Sequence, residues 1–231
     1  MLGNRGADLL AAKYGWRRAT VDWTAKARTA KRGQIEHSIE ITDFMVALDI
    51  ACRLRGTHAV MYFDEILREL APEATRETPQ PYHWPVSTNW QGSAQTLYVI
   101  PDGIFGIRDL TRRGDRAVKF FAYERDRGTM PVVRSNLAQS SILRKLIGYG
   151  ATHRSELHTA MYGLPNFCVL TEAPGPKRVA DMIIDGYQRH LSHLYPPGLF
   201  LFTDRRTLFA AEDFLDHEWL DGEGQQHRLI D

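Results

Sequence analysis

Apolar residues recur at helical spacing over residues 34–55, where Ile35, Ile39, Val46, Ile50 and Leu54 form one stripe and Glu36, Glu40 and Asp43 form an acidic line. The pattern predicts a long helix. Ala59–Phe63 then reads as a strand and Asp64–Leu70 as a helical turn. Residues 72–96, with Pro72, Pro79, Pro81 and Pro85 around Trp84 and Trp90, read as a long loop pinned by its aromatics. Two short apolar runs follow, one opened by Ile100-Pro101-Asp102-Gly103 and the other spanning Ala117–Tyr123, bridged by the polar turn Thr111-Arg112-Arg113-Gly114-Asp115. A helix is expected over 135–149 with Leu137, Ile142, Leu146 and Tyr149 inward and Arg144-Lys145 beside them. Asn166–Thr171 and Leu199–Thr203 read as strands around an amphipathic helix, Lys177–Leu194. At the other end, Gly6–Tyr14 reads as a short helix leading into a basic connector. This order predicts an α/β domain, a central mixed sheet with helices on both faces.

The second apolar run of the hairpin carries the chemistry. Side chains alternate faces along a strand, so Val118, Phe120, Ala122, Glu124 and Asp126 share one side and Lys119, Phe121, Tyr123 and Arg125 the other. The first side is apolar until it ends in two acids, and Asp102 stands where the opposite strand begins. Carboxylates crowded together repel unless a cation lies between them. Asp102, Glu124 and Asp126 are therefore candidate metal ligands, with Mg2+ or Mn2+ as the ion, because magnesium takes oxygen ligands and fills its other positions with water and phosphate. A bound ion of that kind activates water and neutralises charge on a phosphate, pointing to phosphodiester chemistry. The competing reading is that the same acids are edge-strand charges paired with Arg125, Arg127 or Arg108.

Composition bounds these readings. With 231 residues, 43% of them hydrophobic, the chain can bury one substantial core. No apolar run approaches the roughly 20 residues that span a membrane, and the first residues lack the apolar stretch of a secretory leader. Cys52 and Cys168 sit inside apolar segments and match no zinc spacing, as expected of buried thiols in the cytoplasm. The net charge of +1 hides an asymmetry: residues 1–32 carry Arg5, Lys13, Arg17, Arg18, Lys26, Arg28, Lys31 and Arg32 against only Asp8 and Asp22, so the remainder is acidic on balance. A basic arm over 1–32 ahead of a domain over 33–231 makes Arg17, Arg18, Lys26, Arg28, Lys31 and Arg32 the candidate nucleic-acid contacts. A solvated linker has the same composition.

Several stretches together resemble a known family: Glu36-His37-Ser38-Ile39-Glu40-Ile41-Thr42-Asp43, Ile100-Pro101-Asp102-Gly103, Tyr123-Glu124-Arg125-Asp126-Arg127-Gly128-Thr129 and Arg144-Lys145-Leu146-Ile147-Gly148-Tyr149. They are similar to the plasmid replication-relaxation family of bacterial mobile elements, over roughly residues 34–220, and their order resembles the PD-(D/E)XK nuclease core. The resemblance implies a restriction-endonuclease-like fold and work on plasmid DNA in replication, relaxation or mobilisation, with replication or transfer proteins as further partners. It also implies a winged helix-turn-helix ahead of the core. Residues 1–32 are too few for that module, as expected of a fragment or of a member without the DNA reader.

The nuclease pattern places a lysine where Asp126 stands. Lys119 points to the wrong side of its strand, so Lys145, on the next helix, is the candidate replacement, and Glu36 is a candidate third carboxylate; a solvated lysine and a solvent-facing acid are the competing readings. His37 reads as a structural histidine, and His153, His158, His190 and His193 as surface residues. No hydrolase elbow, phosphate-binding Gly-Lys-Ser/Thr loop or dinucleotide fingerprint is present. Two classes of function remain: a magnesium-dependent endonuclease-like enzyme, and a nuclease-fold module without activity that binds DNA or a partner protein.

Overall fold

A computed structural model describes residue 12 and residues 32–114 and 117–230. The chain divides into two units, 1–42 and 43–231, with the division inside the first long helix, α1 (Arg32–Arg55). Of the first unit, the described part is almost entirely the opening turns of α1, where Ser38 and Thr42 hydroxyls donate back to the carbonyls of Gln34 and Ser38.

The second unit is built on a mixed sheet. In chain order its elements begin with β1 (His58–Tyr62), the short helices α2 (Phe63–Glu69) and α3 (Glu73–Arg76), and a hairpin of β2 (Trp84–Trp90) and β3 (Ser93–Val99). There follow β4 (Gly103–Asp109), β5 (Val118–Arg125), the helices α4 (Ile142–Arg154) and α5 (Leu157–Tyr162), and β6 (Cys168–Ala173). The last are α6 (Pro176–Asp181), β7 (Phe200–Asp204), α7 (Arg205–Ala210), β8 (Trp219–Leu220) and β9 (Gln226–His227). Among the described residues the main sheet has seven strands in the order β1-β4-β5-β6-β7-β8-β9. β5, β6 and β7 run parallel, while the pairs toward both edges are antiparallel. The sheet is thus mixed and flanked by helices, as the sequence predicts.

Both faces of β5 are buried, and each is buried differently. On one side Phe120 and Ala122 pack into the main core with Leu143, Leu146 and Ile147 of α4. The same core takes Val179 from α6, and Met182 and Ile183 from its π-helical continuation Met182–Gln188. On the other side Phe44 of α1 stacks on Tyr123 with ring centroids 4.0 Å apart and meets Phe105, Phe214 and Trp219. The helix facing that side therefore buries Phe44, Leu48 and Cys52, spaced i, i+4, i+8. Ile35, Ile39, Val46, Ile50 and Leu54 are exposed, although an apolar stripe ordinarily faces a core. α1 is apolar on more than one side, and the face carrying the aromatic ring is the one that meets the sheet. Burial pushes the Cys52 thiol up to about 11.

Two further expectations are corrected. Residues 84–99 form the β2–β3 hairpin rather than a loop. The tryptophans still act as anchors: Trp84 is 1% exposed and its indole N–H donates to Thr152 of α4 at 2.9 Å, and Trp90 packs on the core. The helix expected over 135–149 begins at Ile142, capped by the Ser141 hydroxyl accepting from the Arg144 amide. Among the described residues no helix is long and apolar enough to cross a membrane.

α4 carries Gly150 where a Cβ would lie within 2.6 Å of the Tyr195 ring. Tyr195 has little room to yield, being 6% exposed with the Arg154 guanidinium 4.7 Å above its ring. Gly150→Ala is therefore expected to cost about 1–3 kcal/mol through overpacking, against about 1 kcal/mol of helix propensity gained. A lower melting temperature in a thermal melt checks it.

Candidate functional site: two charge clusters at one strand end

The parallel strands β5, β6 and β7 end together, and each carries an acid there: Glu124, Glu172 and Asp204, with Glu124 paired to Thr171 and Glu172 to Thr203 in register. The hairpin adds Asp102. Pro101 has no N–H to give the ladder, so pairing resumes at Asp102, whose amide donates to the Tyr123 carbonyl at 3.0 Å. The Asp102 carboxylate accepts from the Arg125 amide at 2.8 Å. Asp102 and Glu124 thus reach one corner from separate strands.

On the α4 side, Glu124 is 4% exposed and both its oxygens are engaged. Lys145 Nζ donates to Oε2, and the Tyr149 hydroxyl, one turn further along α4, donates to Oε1 at 2.5 Å. Burial raises the Glu124 carboxyl to about 7; Lys145 pulls it down and Asp102 pushes it up again. Burial works against the charge on Lys145, but Glu124, Asp102 and Asp126 outweigh it and hold the lysine above its ordinary value. Tyr149 is raised well above its ordinary value by burial and by Glu124. Asp126 takes a different partner: Arg178 of α6 donates Nε to its Oδ2 at 2.8 Å. The Asp126 amide donates to the Glu172 carbonyl at 2.9 Å.

On the α1 side of the same strand end lies a second cluster centred on Glu172, which is 0% exposed. The Tyr123 hydroxyl donates to its Oε2 at 2.8 Å, Arg125 Nε lies 3.0 Å from its Oε1, and Arg205 Nη1 donates to Oε1 at 2.9 Å. Arg205 opens α7 and also donates to Asp43 of α1 at 2.9 Å. β5 therefore alternates between the two clusters: Glu124 turns to α4, Tyr123 and Arg125 turn to α1.

Of the sequence candidates, Asp102, Glu124 and Lys145 come together, with Asp126 beside them in its own ion pair. Glu36 is an exposed residue of the first unit. Arg17, Arg18, Lys26, Arg28 and Lys31 lie outside the described residues, and Arg32 is the first residue of α1. Among the described residues no group of three or more His, Cys, Asp or Glu is gathered as metal ligands. Magnesium needs only one or two protein carboxylates, so Asp102 and Glu124 are the pair that would take it, after Lys145 gives way. His158 corrects a surface assignment: it is buried, stacks on His153 with centroids 5.7 Å apart, and is held below its ordinary pKa by burial.

A family model described as replication-relaxation matches residues 1–166. The chain belongs to the replication-relaxation family. Neither the comparison with curated proteins nor that with solved structures returned a match. The replication-relaxation match takes in Asp102, Glu124, Asp126, Lys145 and Tyr149 and stops before β6, so Glu172, Arg178 and Arg205 lie beyond it, whereas the motif resemblance runs on to about residue 220. Sequence reasoning missed Glu172, Arg205, Arg178 and the two tyrosines. The signal that could have found the first was an acid closing each successive apolar strand.

Proposed function

We propose that this replication-relaxation protein works on plasmid DNA in replication or relaxation as a nuclease-like module whose carboxylate corner is closed by its own lysine. The observation that carries this is the engagement of both Glu124 oxygens, by Lys145 and Tyr149, at a position 4% exposed. A protein cation at a carboxylate pair relieves part of the repulsion that would otherwise favour a metal. DNA is held through phosphates by the basic residues Arg17, Arg18, Lys26, Arg28, Lys31 and Arg32. Replacing Arg17, Arg18, Lys26 and Arg28 together by alanine is expected to weaken duplex binding. The slope of log K against log salt should flatten by about 0.9 for each phosphate no longer neutralised. Fluorescence anisotropy across a salt series reads both, with and without EDTA. Affinity and slope unchanged by the four substitutions would remove the assignment.

One observation favours a second reading, magnesium-dependent phosphodiester hydrolysis. Asp102 raises the Glu124 carboxyl, so the two acids repel each other, and a divalent ion would relieve this more fully than one ammonium. Asp102 and Glu124 would hold the ion, which supplies an activated water and charge neutralisation at phosphate; Lys145, once displaced, would be left facing the substrate. Calorimetric titration with magnesium or manganese decides between the two. The closed corner predicts no binding in wild type and binding only in Lys145→Ala. Hydrolysis predicts binding in wild type, stronger at pH 8 than at pH 6, lost in Asp102→Ala.

A further inference from the structure

At the opposite ends of the parallel strands, away from both charge clusters, the second unit opens into a cavity of about 560 Å3. Its floor is apolar, formed in part by Phe121 of β5, Leu201 of β7 and Leu229 near the end of the chain. Its rim is basic, with Arg112 from the β4–β5 turn, Lys119 from the start of β5 and Arg228 after β9. None of the lining residues among the described ones is acidic, although the chain beyond residue 32 is acidic on balance. Two stretches distant in sequence, the β4–β5 turn running into β5 and the segment after β9, thus bring positive charge to one apolar hollow. Its volume lies in the range of about 300–1,000 Å3 that small-molecule pockets occupy.

We infer that this cavity is a nucleotide site, with the phosphate among Arg112, Lys119 and Arg228 and the base on the apolar floor. The charge pattern fits an anion joined to an apolar body; the choice of a nucleotide rests on the DNA-acting role proposed for the chain. The two rim arginines are themselves exposed and already paired, Arg112 Nε with the half-buried Asp109 at 3.0 Å and Arg228 Nη1 with the exposed Asp216 at 3.8 Å. Each pairing uses one of a guanidinium's five N–H donors, and exposed pairs of this kind contribute only about 0–1 kcal/mol. A phosphate can therefore recruit both arginines at little cost, through the stronger charge-assisted hydrogen bonds that guanidinium and phosphate make.

The test is calorimetry on the full chain with thymidine 5′-monophosphate, thymidine and inorganic phosphate. The monophosphate is expected to bind at least about tenfold more tightly than either fragment, and Lys119→Ala and Arg228→Ala are each expected to weaken it by about tenfold, the loss of one hydrogen bond to a charged group. Gly198 lines the cavity, and a Cβ there meets nothing within 4 Å, so Gly198→Trp fills the space without a backbone clash and should abolish binding. Asp102→Ala should leave nucleotide binding intact, which separates failure of this site from failure at the carboxylate corner. Competition by a 5′-phosphorylated oligonucleotide assigns the phosphate to a strand end, and lack of competition to a free nucleotide; either upholds the site. Monophosphate affinity no greater than that of phosphate alone, or affinity unchanged in folded Lys119→Ala and Gly198→Trp, overturns it.

Discussion

Glu172→Gln is expected to be among the most destabilising single substitutions in the second unit, lowering the free energy of unfolding by about 3–5 kcal/mol. Glu172 is 0% exposed and Arg125 6%, so the glutamine leaves a buried guanidinium without the carboxylate that faces it. Glutamine keeps an oxygen to accept from the Tyr123 hydroxyl, so the loss isolates the charge rather than the hydrogen bond. Urea denaturation gives the midpoint shift. The decisive comparison is the double variant Glu172→Gln with Arg125→Met. Removing both charges is expected to recover most of the loss, because a buried pair replaced by neutral groups of similar size is often nearly neutral in stability. If the double variant is as unstable as the sum of the singles, the two residues act separately and the cluster is not a unit. Arg205, partly exposed and bridging to Asp43, should matter less: Arg205→Ala leaves Glu172 with Arg125 and Tyr123.

The order of elements was legible because long-range pairing here follows local pattern. β5, β6 and β7 are short apolar runs, each placed within a few residues, and the alternation along β5 correctly puts Glu124 with Phe120 and Ala122, and Arg125 with Tyr123. The β2–β3 hairpin was hidden by its prolines. Pro85 sits in a two-stranded ribbon, where a missing N–H can be tolerated. The turn is Gln91-Gly92 with both residues at positive φ, 52° and 80°, the geometry that joins twisted strands in a two-residue loop, but with glutamine where asparagine or aspartate is the usual signal. The helix stripe misled for another reason. Periodicity cannot rank two apolar faces of one helix, and the winning face of α1 carries a ring that stacks on Tyr123. Lys145 was reachable by reasoning, since α4 follows β5 directly and must pack across it. Arg178 and Arg205 were not, because their approach to the strand end depends on which strands run parallel, and no local spacing reports that.

Stability of the wild-type chain is expected to fall as pH rises from about 4.5 toward 8, and Glu124→Gln is expected to remove that fall. The sign follows from linkage. The folded carboxyl sits at about 7, above its ordinary 4.5, because burial and Asp102 outweigh the help of Lys145 and Tyr149. A group raised in this way binds its proton more tightly when folded, so its contribution is fully present below the unfolded value and is lost as pH passes through the folded one. A tenfold difference in proton affinity corresponds to about 1.4 kcal/mol, so the window amounts to roughly 3 kcal/mol. Urea midpoints measured at pH 5, 6, 7 and 8 would trace it, with Glu124→Gln flat relative to wild type over the same interval. Lys145→Met should act in the opposite way and steepen the fall, since the lysine is the group that lowers the Glu124 carboxyl. A wild-type profile that stays flat through this window, as in Glu124→Gln, would mean the carboxylate is already ionised and neutralised by Lys145 at its lower edge. The corner would then be a settled salt bridge, with a standing charge pair that magnesium must break rather than a proton that it need only displace.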